Sequence, residues 1–285
     1  MQRLLNAIKN AIGLPNTEDS FSNASLENII TDLENDIANN YWHNRVYAER
    51  DFKMMPALVK QANDKYPEMN LKLIKEPIDF VSSFKKTIKK GIQSSRYIVS
   101  AGGDYQSHFG VVDHQTLNNK ISLILFEPAR FDLTKPAILG AKMQIIMETR
   151  LSHCYFSMAE MDIQRSISEC GIFSLAIAKK LYRQSDKLEK LHIDNIKGDQ
   201  WDRGIHLSYN LLDKYLPVSF YKHTQGMRRI KEYIEKNPGS EDEIVNKKNQ
   251  TIVERFEENL VILPSKSISV SIHKKRVSEY KSLMR

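Results

Sequence analysis

Cys170 stands in DIQRSISECGIF, where polar residues give way to a continuous apolar run, and Gln164 lies six residues ahead of it in the same stretch. A cysteine at the start of a predicted helix sits among backbone N–H groups that lack intrahelical partners, at the positive end of the helix dipole, where a thiolate is favoured. With an imidazole beside it, such a thiolate attacks carbonyl carbon, and the acyl-enzyme is resolved by a second nucleophile. The side chains for that chemistry occur in order along the chain. His108 falls in a predicted strand as a general base, Glu127 ends the next strand as the acid that orients the imidazole, and Gln164 offers a side-chain N–H to an oxyanion alongside the backbone N–H of Cys170.

Each of these residues also has a plainer reading. Free cysteine is among the most buried residue types, a strand histidine is often a hydrogen-bonded core residue, and Glu127 and Gln164 fit a strand-end acid and a loop residue. Asp113, His114 and His153 are further available partners, and Cys154 in HCYFSM reads as a packed strand thiol.

The elements that must bring these residues together follow from periodicity. Helical spacing over 26–42 begins the core, with Ser25 and Glu27 at cap-like positions; a second helix is expected from Pro56, a strand at 71–74 and a basic helix at 79–91. Strands at 96–101, 107–113 and 120–126 form a meander, followed by a helix at 136–150, a strand at 155–161 and a helix at 171–181 that is apolar nearly all round. Beyond it, 183–212 reads as helical and 215–221 as β-rich. Helices before a mixed sheet, with one buried helix behind it, give an α+β fold. Residues 1–13 put Leu4, Leu5, Ile8 and Ile12 on one face before a polar linker, which sets 1–25 apart as a detachable segment.

Composition narrows the class. With 41% hydrophobic and 27% charged residues, the chain is a soluble globular protein rather than a disordered or fibrous one. Two cysteines exclude a disulfide framework and leave no four-ligand zinc cluster, which fits a reducing compartment. No apolar run approaches the ~20 residues that span a bilayer, and the N-terminus lacks a secretory h-region. The net charge of +7 is carried disproportionately by the last third: Lys222, His223, Arg228, Arg229, Lys231, Lys247, Lys248, His273, Lys274, Lys275 and Arg276. An anion is expected there, with a solvated basic face as the plainer alternative; no zinc finger, helix-turn-helix or RNP-type signature supports nucleic acid.

The segments SLILFEPA, CYFSMAEMDIQRSISECGIFSLAIAKKLY, YLPVSFYKHTQG, IVNKKN and HKKRVSEYKSL together resemble the YopJ family of type III secreted effectors, from about residue 26 onward. The resemblance implies a cysteine-protease-like core over 26–200, of the clan that processes ubiquitin-like proteins. It gives that core a triad of His108, Glu127 and Cys170, with Gln164 at the oxyanion. It further implies acetyl transfer from acetyl-CoA through Cys170 to serine, threonine or lysine of host MAP kinase kinases, blocking MAPK and NF-κB signalling. Secretion into the host cytoplasm would be guided by residues 1–25, with a secretion chaperone as partner. Inositol hexakisphosphate would order a regulatory lobe over 201–285, held by Lys222 above all, with His223, Lys274, Lys275, Arg276 and Lys247 or Lys248 as further candidates. A cysteine protease acting on ubiquitin-like conjugates and a non-catalytic kinase-binding inhibitor are the alternatives.

Overall fold

A computed structural model describes residues 23–102, 108–166, 168–198 and 206–284. The expected helix at 1–13 and Ser107, which neighbours the candidate base, lie outside the described residues. Helix α1 (Asn23–Ala38) precedes α2 (Ala48–Lys65), and the sheet then opens with β1 (Leu71–Ile74), α3 (Asp79–Lys89), β2 (Ser94–Ser100), β3 (Phe109–Leu117) and β4 (Lys120–Glu127). After α4 (Thr134–Arg150), β5 (Tyr155–Glu160) leads into α5 (Cys170–Arg183), α6 (Glu189–Lys197), β6 (His206–Leu207) and α7 (Tyr209–Leu212). The remainder holds α8 (Met227–Lys236), α9 (Ile252–Glu258), the hairpin β7 (Leu260–Leu263) and β8 (Lys266–Ser269), and α10 (Ser271–Lys281).

Among the described residues the main sheet has six strands in sequence order, β1 to β6. The β2–β3 and β3–β4 pairs are antiparallel, and β1–β2, β4–β5 and β5–β6 are parallel. The meander expected at the centre is therefore present, flanked by crossovers. Side chains alternate between faces as strand geometry requires. Tyr97, Val99, Val112, Leu123 and Leu125 pack on one side with Phe80 and Phe84 of α3 and Leu139 and Met143 of α4. On the other side Ile98, Val111, Ile124 and Phe126 pack with Phe173, Leu175 and Ile177 of α5 and Met55 and Leu58 of α2. This is a mixed α+β fold with helices on both faces.

Four expectations fail for identifiable reasons. The stretch at 183–212 is not helical throughout, because His206–Leu207 pairs with Met158 and Ala159 as the strand β6. The second helix does not start at Pro56 but runs through it, because Ala48, Asp51, Met54, Met55, Leu58, Val59 and Ala62 form one buried stripe that outweighs the lost N–H. The stretch at 215–221 is not β: Pro217 leads into a 3-10 turn at Val218–Tyr221, whose apolar side chains are buried without pairing to a strand. Ser25 lies inside α1 rather than ahead of it, and Trp42 falls in a separate turn, Trp42–Asn44.

Candidate active site

The antiparallel register sets the start of β3 and the end of β4 at the same end of the two central strands. His108 immediately precedes β3, its carbonyl accepting from the N–H of Ala101 (2.8 Å), and Glu127 is the last residue of β4. Their side chains meet there, with His108 Nε2 2.7 Å from Glu127 Oε2, while the N–H of Ala129 donates to Glu127 Oε1 (2.9 Å). Both are buried, Glu127 completely. With Nε2 committed to Glu127, Nδ1 is the nitrogen left for Cys170, whose side chain is within hydrogen-bonding reach of the ring. Burial alone would lower the His108 pKa, but the Glu127 carboxylate and the Cys170 sulfur outweigh it and push it up to about 10. This arrangement favours the imidazolium.

Cys170 is the first residue of α5, 2% exposed, with Glu169 as the preceding cap residue. Gly171 follows it because α2 passes close by: a Cβ there would lie 3.1 Å from Asp51 Cβ and 3.3 Å from Met55 Cε. The connection from β5 to α5 is pinned along its length. Ile163 and Gln164 donate backbone N–H to the carbonyl of Pro128 (2.9 and 3.0 Å), just past Glu127. Asp162 takes up a left-handed conformation (φ 53°), and its carboxylate accepts from Arg165 (2.6 and 3.0 Å) and Arg228 (3.0 Å). Gln164 Nε2 donates to the carbonyl of Ser166 (2.6 Å), which fixes the plane of its amide. Thus His108, Glu127, Gln164 and Cys170, spread over 63 positions of sequence, gather at one end of the central strands.

Beside them opens a cleft of about 690 Å³, lined by His108, Gln164 and the apolar Leu133 and Pro136, with Arg130, Lys135, Arg165 and Arg228 as its cations. Of the alternative partners, His114 bonds Ser95 and Thr116 and is pushed down to about 4, chiefly by burial. Asp113 is committed to Arg96 and His192. Burial pushes the Cys154 thiol up to about 11, the behaviour of a packed structural thiol.

A second cavity, about 400 Å³, lies where α2, α5 and α10 meet the 219–223 segment. Lys222, His223 and Lys275 line it, together with four cations that the sequence reading did not single out: Lys65, Lys179, Lys180 and Arg183. These four lie outside the basic last third, and Lys179, Lys180 and Arg183 are carried there by the far end of the helix that begins at Cys170. Glu279 faces the cavity too, already neutralised by Lys179 (2.8 Å) and Lys275 (2.7 Å). Burial first, then Lys180, Arg255 and Lys275, push Lys222 down to about 7, and Lys180 is likewise pushed down to about 8. The cavity is thus short of negative charge.

Four expected anion ligands are elsewhere, among them Lys248, whose ammonium bonds Glu258 Oε1 (2.8 Å). Arg276 is buried, bonds both oxygens of Asp51 (2.8 and 2.9 Å) and the carbonyl of Ser168 (3.0 Å), and sits over the Tyr47 ring, so its guanidinium faces inward. Lys274 bonds Asn259 Oδ1 (3.0 Å) and Lys247 is exposed; neither lines the cavity. His223 does line it, but burial and neighbouring cations hold its pKa well down and its Nδ1 bonds Ser271, so it serves as a neutral wall.

The same fold occurs in HopZ1a in complex with IP6 and CoA, 18% identical, at a TM-score of 0.70 over 84% of this chain and 86% of that one. A solved structure described as an AvrA deletion variant with IP6 and CoA matches at a TM-score of 0.86 and 47% identity, covering 92% and 98%. Over 270 residues the chain is 52% identical to the serine/threonine-protein acetyltransferase YopJ of Yersinia pestis, covering 94% of this chain and 93% of that protein. The same protein of Yersinia pseudotuberculosis is 51% identical over the same shares. A family model described as YopJ serine/threonine acetyltransferase matches residues 26–282. The chain belongs to that family.

Proposed function

We propose that this acetyltransferase works through Cys170, with His108, Glu127 and Gln164 in the roles of base, orienting acid and oxyanion donor, and that its donor is acetyl-CoA. The carrying observation is the imidazole held at 2.7 Å by Glu127 with its other nitrogen turned to a thiol at a helix start. The Cys170 thiolate attacks the thioester carbonyl, and the oxyanion is met by the backbone N–H of Cys170 and the Gln164 amide. His108 gives its proton to the departing CoA sulfur, leaving acetyl-Cys170. His108 then takes the proton of an acceptor hydroxyl, serine or threonine, whose oxygen attacks the acetyl carbon; collapse restores the thiolate and the imidazolium. A lysine amine, once neutral, follows the same course. Arg130, Lys135, Arg165 and Arg228 outnumber the Asp132 and Asp162 carboxylates that line the cleft with them, which suits the phosphates of CoA, and the AvrA structure with CoA supports that donor.

The second cavity fits inositol hexakisphosphate: six cations face it against one carboxylate that is already paired. Lys222, Lys275, Lys179, Lys180, Arg183 and Lys65 are its ligands in this reading, and residues 201–285 form the regulatory lobe that the polyanion closes on the 26–200 core. The acceptors are host MAP kinase kinases, reached after type III secretion, and their acetylation interrupts MAPK and NF-κB signalling. Incubating the protein with acetyl-CoA, inositol hexakisphosphate and a MAP kinase kinase tests this by intact mass. Substrate gains acetyl groups with wild type and none with Cys170→Ala. Unmodified substrate, with cleavage of a ubiquitin-like conjugate instead, would overturn the proposal, as would kinase inhibition that survives Cys170→Ala.

A further inference from the structure

Gln225 is fully buried, yet its side-chain oxygen carries three hydrogen bonds, from the N–H of Arg165 (2.6 Å), the N–H of Ser166 (3.0 Å) and the hydroxyl of Ser166 (3.0 Å). Its own backbone is clamped from both sides, its N–H donating to the carbonyl of Ile163 (3.0 Å) and its carbonyl accepting from the N–H of Ser269 (3.1 Å). Ser166, held in this way, supplies the carbonyl that orients the Gln164 amide (2.6 Å). A chain of direct contacts therefore runs from Gln225 through Ser166 to the side-chain amide of Gln164.

We infer that Gln225 is a positioning residue for acyl transfer: it fixes the direction of the Gln164 amide, and so the strength of the oxyanion site, without touching substrate. The inference rests on the acyl-transfer reading given above. The side-chain Nε2 of Gln225 has no hydrogen-bond partner among the described residues, so the accepting oxygen alone does the positioning. The position also matters for control. Lys222, three residues earlier on the same turn, lines the polyanion cavity, and Ile163, bonded to the Gln225 backbone, lines it as well. The cavity and Gln225 thus share the Ile163 carbonyl segment and the stretch from Lys222.

Two reactions of one thiol separate this role from a merely structural one. Acylation passes through an oxyanion, whereas alkylation by iodoacetamide displaces iodide with none, so only acylation senses the Gln164 amide. With inositol hexakisphosphate present, Gln225→Met lowers the rate of acetyl-Cys170 formation from acetyl-CoA by about 10- to 100-fold, while the alkylation rate of Cys170 stays within about twofold. Gln225→Glu, which keeps an accepting oxygen, recovers acylation to within about fivefold of wild type. Should Gln225→Met not fold, Ser166→Ala removes one arm of the clamp and slows acylation about three- to tenfold, again without slowing alkylation.

Acylation unchanged in both variants, alkylation falling in step with acylation, or Gln225→Glu no better than Gln225→Met would each overturn the inference. If wild type is not acylated by acetyl-CoA, the acetyl-transfer reading falls instead. The burst of nitrophenol from p-nitrophenyl acetate, which needs the same oxyanion site, then decides the role of Gln225 by the same comparison.

Discussion

At Cys170 and its neighbours the chemistry turns on which groups hold a proton at neutral pH. The imidazole of His108 is pushed up to about 10 by Glu127 and the Cys170 sulfur despite burial, whereas burial pushes Cys154 up to about 11. Brief alkylation by iodoacetamide at pH 7 is therefore expected to label Cys170 and leave Cys154 intact, as peptide mass spectrometry reads directly; a Cys154 adduct of equal yield would contradict this. Glu127→Gln replaces the acceptor of the His108 Nε2 proton with an amide, and kcat is expected to drop by about 10²–10⁴-fold with KM for acetyl-CoA little changed. Steady-state kinetics separates the two parameters. These four residues stood out because their types and order fit the chemistry and the family's motifs cover them, and the fold brings them together. Gln225 and Arg276 did not: Gln225 meets Ser166 across 59 positions and Arg276 meets Asp51 across 225, and nothing local marks such pairs. A lysine or arginine in a basic run reads as a ligand for anions until the fold supplies it with a carboxylate.

Helices and strands in this protein follow burial more closely than local propensity. The central strands, α3, α4 and α5 were readable from periodicity because each has one face in the core, and their ends fall close to the expected ones. Pro56 misled because a local rule was outvoted by the stripe on α2, and 215–221 because β-branched and aromatic residues fill a core equally well from a 3-10 turn. One close contact between elements is α2 against the start of α5, at Gly171. Gly171→Ala is expected to cost about 1–3 kcal/mol by overpacking against Asp51 and Met55. Urea denaturation measures this, and an unchanged midpoint would show that α2 yields freely. Asp51 is also the partner of Arg276 and of Tyr280 (2.7 Å), so Asp51→Ala, which strands a buried guanidinium, is expected to cost about 3–5 kcal/mol.

Taken as a whole, the molecule holds an uncompensated positive cavity and several neutral buried histidines, and both respond to pH. Polyanion binding restores the protons that Lys222 and Lys180 give up near pH 7 and 8, so wild type is expected to take up more protons on binding inositol hexakisphosphate than Lys222→Met does. Calorimetry in buffers of different ionisation heat gives the difference, and the phosphates' own protons cancel in it. Equal uptake would remove Lys222 from the site.

In acid, His114, His223 and His273 are held below their ordinary range, chiefly by burial, so the unfolded chain binds more protons at these positions once the pH drops under about 6.5. Glu160 and Glu169, raised by burial, act in the opposite sense, but two carboxyls do not offset three imidazoles. The melting temperature is accordingly expected to fall between pH 6.5 and 4.5, as scanning calorimetry would register.

The contact between Arg276 and Asp51 has a consequence in time as well as in space. Arg276 holds Ser168, two residues before the thiol, and it arrives on α10, the last of the described helices, which packs beside α1, the first. A chain threaded through a ribosome, or through any narrow channel from its N-terminal end, presents Cys170 well before the helix that braces its loop. The loop ahead of the thiol is therefore braced only once α10 has folded back onto α2 and set Arg276 against Asp51.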